Sequence, residues 1–155
     1  MVEPLCDGVP PGGSCLPPLV ESCDAPFEGT LSGARVAIGP WDEDRAFTDG
    51  ELTPLIFGSQ GGAMIRWSLR VDGVEVPDCV RARVRIDMDG GDPYEVAQTM
   101  TLHCGDSLGT LAILPGDRPC ESREYPITLR VAVDGIGEAT AHVRVMGGLC
   151  PRATL

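Results

Sequence analysis

The stretch that decides the fold class is Val80-Arg81-Ala82-Arg83-Val84-Arg85-Ile86-Asp87. Apolar and charged side chains alternate along it, and successive side chains of a β-strand point to opposite faces. The stretch therefore predicts a strand that turns one face to an apolar core and the other to water.

The same alternation recurs along the rest of the chain. It is strong at 64–71, 127–134 and 139–146, and weaker at 34–38, 52–57, 95–103 and 108–114. Asp-Gly pairs at 72–73, 89–90 and 134–135 supply residues that tolerate the positive φ of tight hairpins. We therefore predict an all-β fold, an antiparallel β-sandwich of about eight strands that is disulfide-bearing and immunoglobulin-like in general architecture.

Composition limits the partners of this chain. It has 155 residues, which fits one domain, and 23 acidic against 12 basic side chains give a net charge of -11. Such a chain repels nucleic-acid phosphates and anionic lipid headgroups. No apolar run is long enough to span a membrane. We expect a protein or glycan partner, no nucleic acid and no membrane span.

Cysteine usage indicates an oxidising compartment. The seven cysteines are Cys6, Cys15, Cys23, Cys79, Cys104, Cys120 and Cys150, and they lack the close spacing of zinc ribbons. We expect a secreted, periplasmic or cell-surface protein from which a leader has been removed. We also expect the last four to pair among themselves, while the first three serve the N-terminal segment. Since the number is odd, at least one thiol has no intramolecular partner.

The chain divides by composition into two parts. Residues 1–28 are rich in Pro, Gly and Cys, which excludes a long helix or a central strand. Residues 29–155 carry the alternating segments. We predict an N-terminal segment of 28 residues followed by the sandwich domain.

A glycine-rich run precedes the strand at 64–71. It reads Leu55-Ile56-Phe57-Gly58-Ser59-Gln60-Gly61-Gly62 and is followed by Ile65 and by Ser68-Leu69-Arg70. This pattern resembles one in uncharacterised secreted or lipoprotein-like proteins of GC-rich bacteria. The resemblance implies no known activity.

An acidic turn offers hard oxygen ligands for calcium. Asp87, Asp89 and Asp92 surround two glycines, and calcium takes carboxylate oxygens from such loops. The alternative is a solvated hairpin tip, because Asp and Gly are good turn formers. A calcium-stabilised structural domain is one alternative function. A small metal-dependent or hydrolytic enzyme, built from these carboxylates with His103 or His142, is another.

Two further features suggest a binding surface. Arg81, Arg83 and Arg85 share the outward face of one strand, where guanidinium groups hold carboxylates or sulfated sugars. The alternative is pairing with acids on neighbouring strands. Trp41 ends a strand within an acidic turn, as a binding anchor or as a lid over the core.

The balance of these patterns favours a binding protein over an enzyme. His103 and Cys104 are adjacent in a predicted strand, so they point to opposite faces and form no nucleophile pair. We expect a non-enzymatic extracytoplasmic module for binding or for envelope or surface assembly. Calcium is the one cofactor that the sequence suggests.

Overall fold

The computed structural model describes residues 23–57, 63–73, 75–88, 92–102, 105, 107, 110–113 and 122–148. This part of the chain is all-β, as predicted, and contains no helix. It accordingly offers no helix with the length and apolarity needed to cross a membrane. Its strands are β1 Arg35–Pro40, β2 Glu51–Leu52, β3 Leu55–Phe57, β4 Ala63–Asp72, β5 Cys79–Met88, β6 Tyr94–Thr101, β7 Thr110–Ile113, β8 Glu124–Val133 and β9 Gly137–Met146.

The strands form two sheets. In the four-stranded sheet, β4 is central, with β1 and β3 along one side of it and β7 along the other. The five-stranded sheet has the order β2-β9-β8-β5-β6. Neighbouring strands are antiparallel except β2 and β9, which are parallel. The described sheets are therefore mainly antiparallel, with a parallel pair at this edge, where β2 lies beside the last strand and runs in the same direction.

The core forms where the alternating strands turn their apolar faces inward. On β5, Val80 and Ile86 are buried while the intervening arginines are exposed, as the sequence predicts. β4, β8 and β9 show the same alternation over most of their lengths. Buried side chains of both sheets make one hydrophobic cluster, in which Trp67 of β4 is 0% exposed. Each large aliphatic side chain in it contributes about 1.5–3 kcal/mol.

The segment 52–57, predicted as one strand, is interrupted. Pro54 has no N–H for a strand ladder, and the chain changes sheets at this point. Glu51 pairs with Val143 of β9, whereas Leu55 pairs with Ile65 of β4. The chain from β2 to β3 therefore crosses from one sheet to the other.

Two of the predicted Asp-Gly turns are described, and both have the expected backbone. Gly73 has φ 100° and Gly135 has φ 75°. A Cβ at Gly135 would lie 1.9 Å from the carbonyl oxygen of Gly29, so the turn also needs a residue without a side chain. The pair at 89–90 and the glycine-rich loop at 58–62 lie outside the described residues.

A disulfide joins Cys23 to Cys79 at the start of β5, with a Cα–Cα distance of 6.0 Å. The expected division of the cysteines is therefore wrong for Cys79, which bonds to an N-terminal cysteine. The two come together because the chain before β1 runs beside β5, where the N–H of Phe27 donates to the carbonyl of Cys79 at 2.8 Å. The boundary at residue 28 stays a prediction, and so does the pairing of the cysteines outside the described residues, which are Cys6, Cys15, Cys104, Cys120 and Cys150.

Candidate binding cleft

A cleft of about 230 Å³ lies on the outer side of the four-stranded sheet. One wall is the chain leaving β1, and the other is the segment that crosses from β2 to β3. The outward-facing Arg66 of β4 lies between the walls. The lining residues are Pro40, Trp41, Asp42, Glu43, Glu51, Thr53, Pro54, Ile56 and Arg66.

The first wall depends on Gly39. The chain after Trp41 folds back so closely that a Cβ at Gly39 would lie 1.8 Å from the carbonyl oxygen of Arg45. The N–H of Phe47 then donates to the carbonyl of Ile38 at 3.0 Å. The hydroxyl of Ser68 on β4 donates to the carbonyl of Pro40 at 3.1 Å. These contacts fix where Trp41 leaves the sheet.

Arg45 fastens the two walls together. Its guanidinium makes two bonds to the Glu51 carboxylate, at 2.7 and 2.8 Å, and its Nε donates to Glu43 at 2.8 Å. The hydrogen bond from Arg45 lowers the pKa of Glu51, helped by the N–H of Thr48, while Glu51 raises the pKa of Arg45. A bidentate pair of this kind adds geometric specificity as well as energy. Both walls are therefore held by charges that persist at neutral pH.

Arg66 stacks on Trp41 inside the cleft. Its Cζ lies 4.4 Å from the ring centroid, and both side chains are half-buried. Among the described residues Arg66 has no carboxylate partner. A cation–π contact contributes about 0.5–1 kcal/mol at exposed sites and more when desolvated, which offsets only part of the loss of water around a guanidinium.

Two other polar side chains of the cleft also have no partner among the residues that the structure describes. Thr53 is 5% exposed, and within the described residues its hydroxyl makes no hydrogen bond. The carboxylate of Asp42 makes no ion pair with any described cation. Together with Arg66, these groups give the cleft a donor, an acceptor and a hydroxyl that can be either.

The predicted arginine row lies on a different surface. Arg81, Arg83 and Arg85 are exposed on the outer face of the five-stranded sheet. Nε of Arg83 is 3.7 Å from Asp134, and Nε of Arg85 is 3.3 Å from Asp87. Both arginines thus have acidic neighbours, while Arg81 has no ion pair within the described part. The structure does not bring the row together with Trp41, and the binding role of either stays a prediction.

The proposed calcium ligands are only partly described. Asp87 is partly exposed beside Arg85, Asp92 is exposed before β6, and Asp89 lies outside the described residues. Among the residues described, no three His, Cys, Asp or Glu side chains are grouped as metal ligands would be. His142 is exposed with its Nδ1 3.2 Å from the Thr128 hydroxyl, and His103 is not described. Calcium binding stays a prediction.

Sequence reasoning identified Trp41 but missed the residues around it. The alternation at 64–71 places Arg66 on the outward face of β4, as the structure shows, but nothing local links it to Trp41. Thr53 and Glu51 reach the cleft only because the chain crosses between sheets there. Pro54 within an otherwise strand-like run was the one local signal of that crossing.

Comparisons of this chain with models of known protein families, with curated proteins and with solved structures gave no match. A fold by itself assigns no activity. The function is therefore inferred from the chemistry of the cleft.

Proposed function

We propose that the chain is a non-enzymatic extracytoplasmic module for binding or surface assembly, with its ligand site in the cleft at Trp41. The observation that carries this proposal is the half-buried Arg66, which is stacked on Trp41 in a concave site and has no carboxylate partner in the described part of the chain. A partly desolvated cation is costly unless something pairs with it or hydrogen-bonds to it. A ligand that hydrogen-bonds to Arg66 would remove that cost.

The proposal includes an immunoglobulin-like sandwich as the scaffold. The strand order supports it, since β5, β8 and β9 neighbour one another as the C, F and G strands of such domains do. β4 and β7 pair as their B and E strands do. The single core cluster shared by both sheets also agrees with two layers packed face to face.

The disulfide supports an extracytoplasmic location. Disulfides persist in oxidising compartments and are rare in the cytosol. The bond from Cys23 to Cys79 closes a sequence separation of 56 residues and joins the N-terminal segment to the sheet.

Binding suits the cleft better than proton transfer. A general acid or base works best with a pKa near the operating pH. Arg45 moves the pKa of Glu51 the other way, below its ordinary value, so this carboxylate stays ionised. The Arg45–Glu51 pair therefore acts as a clamp between the walls.

Two-dimensional NMR of the indole N–H groups tests the proposal. The chain has 2 Trp, so each signal is assigned by a single substitution. A library of neutral, anionic and cationic fragments is added to the oxidised protein. Some fragment is expected to shift the Trp41 signal, because Trp41 lines the cleft, while the signal of the buried Trp67 stays in place.

Arg66→Gln serves as the test variant and Arg83→Gln as its matched control on the other sheet. The first should abolish the ligand-induced shift of Trp41, and the second should leave it unchanged. If no fragment class shifts Trp41, or if the two variants behave alike, the cleft is not the binding site.

A further inference from the structure

We infer that the ligand group of the cleft is a neutral sugar ring, a single pyranose unit of a glycan. This inference rests on the proposed function, since it names the ligand of the same site. Three properties of the lining carry it: its charge, its apolar walls, and its uncommitted hydrogen-bonding groups.

The charges of the cleft disfavour an ionic ligand. The lining carries three carboxylates, on Asp42, Glu43 and Glu51, against two guanidinium groups, that of Arg66 and that of Arg45, which binds the two glutamates. The surplus is negative, so an anion is repelled. A cation would compete with Arg45 for the glutamates or with Arg66 for the indole. An uncharged ligand avoids both costs.

The walls of the cleft suit a small ring with an apolar face. Pro40, Trp41, Pro54 and Ile56 supply rigid or bulky apolar surface around the polar groups. Small-molecule sites commonly combine apolar walls with a few placed polar groups, and those for drug-sized ligands measure about 300–1,000 Å³. At about 230 Å³ this cleft is smaller, which fits one ring. Because Arg66 already stacks on the Trp41 ring, the C–H face of a pyranose packs on the prolyl and aliphatic surface of Pro54 and Ile56.

The uncommitted groups match vicinal hydroxyls. A sugar hydroxyl donates and accepts through one oxygen, so neighbouring hydroxyls can donate to Asp42 and accept from Arg66. Such bonds to charged groups are stronger than neutral ones. The hydroxyl of Thr53, a buried residue of the lining, can serve in either direction. A neutral ring thus satisfies all three groups without bringing a charge into the cleft.

Titration with neutral trisaccharides tests the inference. Cellotriose, maltotriose and chitotriose are added separately to the oxidised protein, and the Trp41 and Trp67 indole signals are followed. At least one trisaccharide should shift Trp41 in a saturable manner and leave Trp67 unmoved. Asp42→Asn and Arg66→Gln should each weaken that binding at least 10-fold, since each change is worth about 1.4 kcal/mol or more at this ratio. Arg83→Gln should leave the affinity unchanged.

The other outcomes separate the two proposals. If glutarate, putrescine or a proline-rich peptide shifts Trp41 while every trisaccharide fails, the sugar inference is overturned and the binding function stands. If no probe of any class shifts Trp41, both are overturned. If a trisaccharide binds equally well to wild type and to both cleft variants, it occupies another surface, and the inference is again overturned.

Discussion

The two outer faces of this protein use arginine in opposite ways. On the five-stranded sheet, Arg83 and Arg85 lie on an exposed strand with acidic neighbours. On the four-stranded sheet, Arg66 is half-buried in a cleft, stacked on Trp41 and without a described carboxylate partner. The first face is a solvated charge pattern. The second face holds the Arg66 cation in a cleft, where the stack on Trp41 only partly stabilises it.

This difference shows that the surroundings of a charge, more than its presence, indicate a site. Water screens exposed charges and hydrates a charge that has no partner. An exposed row of arginines along a strand therefore needs no bound ligand to stabilise it. In a concave, partly dry site the same group is costly when unpaired. If the two faces are independent, a change on the five-stranded sheet should leave the Trp41 indole signal in place.

The largest effect is expected from removal of the disulfide at the start of β5 in the five-stranded sheet. In the chain-entropy treatment, a separation of 56 residues corresponds to about 4 kcal/mol, so Cys23→Ala with Cys79→Ala should lower the free energy of unfolding by about 2–4 kcal/mol. Urea unfolding measures the loss. The Trp41 indole signal of the folded variant should match that of wild type.

Cys23→Ser with Cys79→Ser is the control for side-chain polarity and should give the same loss. A double variant as stable as wild type would mean that the bond does not constrain the unfolded chain. A displaced Trp41 signal would mean that the two faces are coupled.

Gly39→Ala should have the next largest effect, and it should act on the cleft. The new Cβ would lie 1.8 Å from the carbonyl oxygen of Arg45, so the chain after β1 must move. Overpacking of this kind costs about 1–3 kcal/mol. We expect that loss in urea unfolding together with a displaced Trp41 signal.

Gly50→Ala is the matched control beside the cleft. Its φ of +76° makes alanine strained, by about 1–2 kcal/mol, but nothing lies within 4 Å of the added Cβ. It should leave the Trp41 signal in place. If Gly39→Ala also leaves Trp41 unmoved, the close approach of Arg45 does not shape the cleft wall.

The sequence predicts the strands well and the cleft poorly, for a physical reason. Alternation is a local property, so the buried faces of β4 and β5 follow from residues such as Ile65 and Val84 alone. The parallel entry of β2 beside β9 depends on a strand far along the chain. The bond of Cys79 to Cys23 and the presence of Thr53 and Arg66 in one cleft are likewise products of the tertiary fold.

A smaller, pH-dependent effect is expected from the clamp between the cleft walls. Because Arg45 lowers the pKa of Glu51 in the folded state, the ionised carboxylate stabilises the fold above its unfolded pKa, about 4.3. That contribution is lost as the pH falls through the lowered pKa that Glu51 has in the folded protein. Wild type should therefore exceed Glu51→Gln in stability at pH 7, and the difference should shrink below about pH 4.

Urea midpoints of wild type and Glu51→Gln across this range measure the difference, with Glu138→Gln on the exposed start of β9 as the control. The control should show no comparable convergence with wild type. A difference between wild type and Glu51→Gln that is constant with pH would contradict the role of this ion pair.

The smallest effect should come from the arginine row, although it changes the most charge. Replacing Arg81, Arg83 and Arg85 together by Gln removes two exposed ion pairs, and exposed pairs contribute about 0–1 kcal/mol each. It also removes a like-charge neighbour, because Arg85 lies directly opposite Arg130 of β8. Like charges directly opposite are destabilising, so this relief offsets part of the loss. Urea unfolding should therefore show a change close to zero.

The single substitution Arg66→Gln should differ from the triple variant in its effect on the Trp41 indole signal. Its stability should also stay near that of wild type, because the stack on Trp41 and the desolvation of the guanidinium act in opposite directions. The Trp41 indole signal should nevertheless move, whereas the triple variant should leave it in place. If the triple variant is strongly destabilised while Arg66→Gln leaves Trp41 unmoved, the structurally important arginines are those of the exposed row. The cleft would then lose the feature that distinguishes it from an ordinary surface depression.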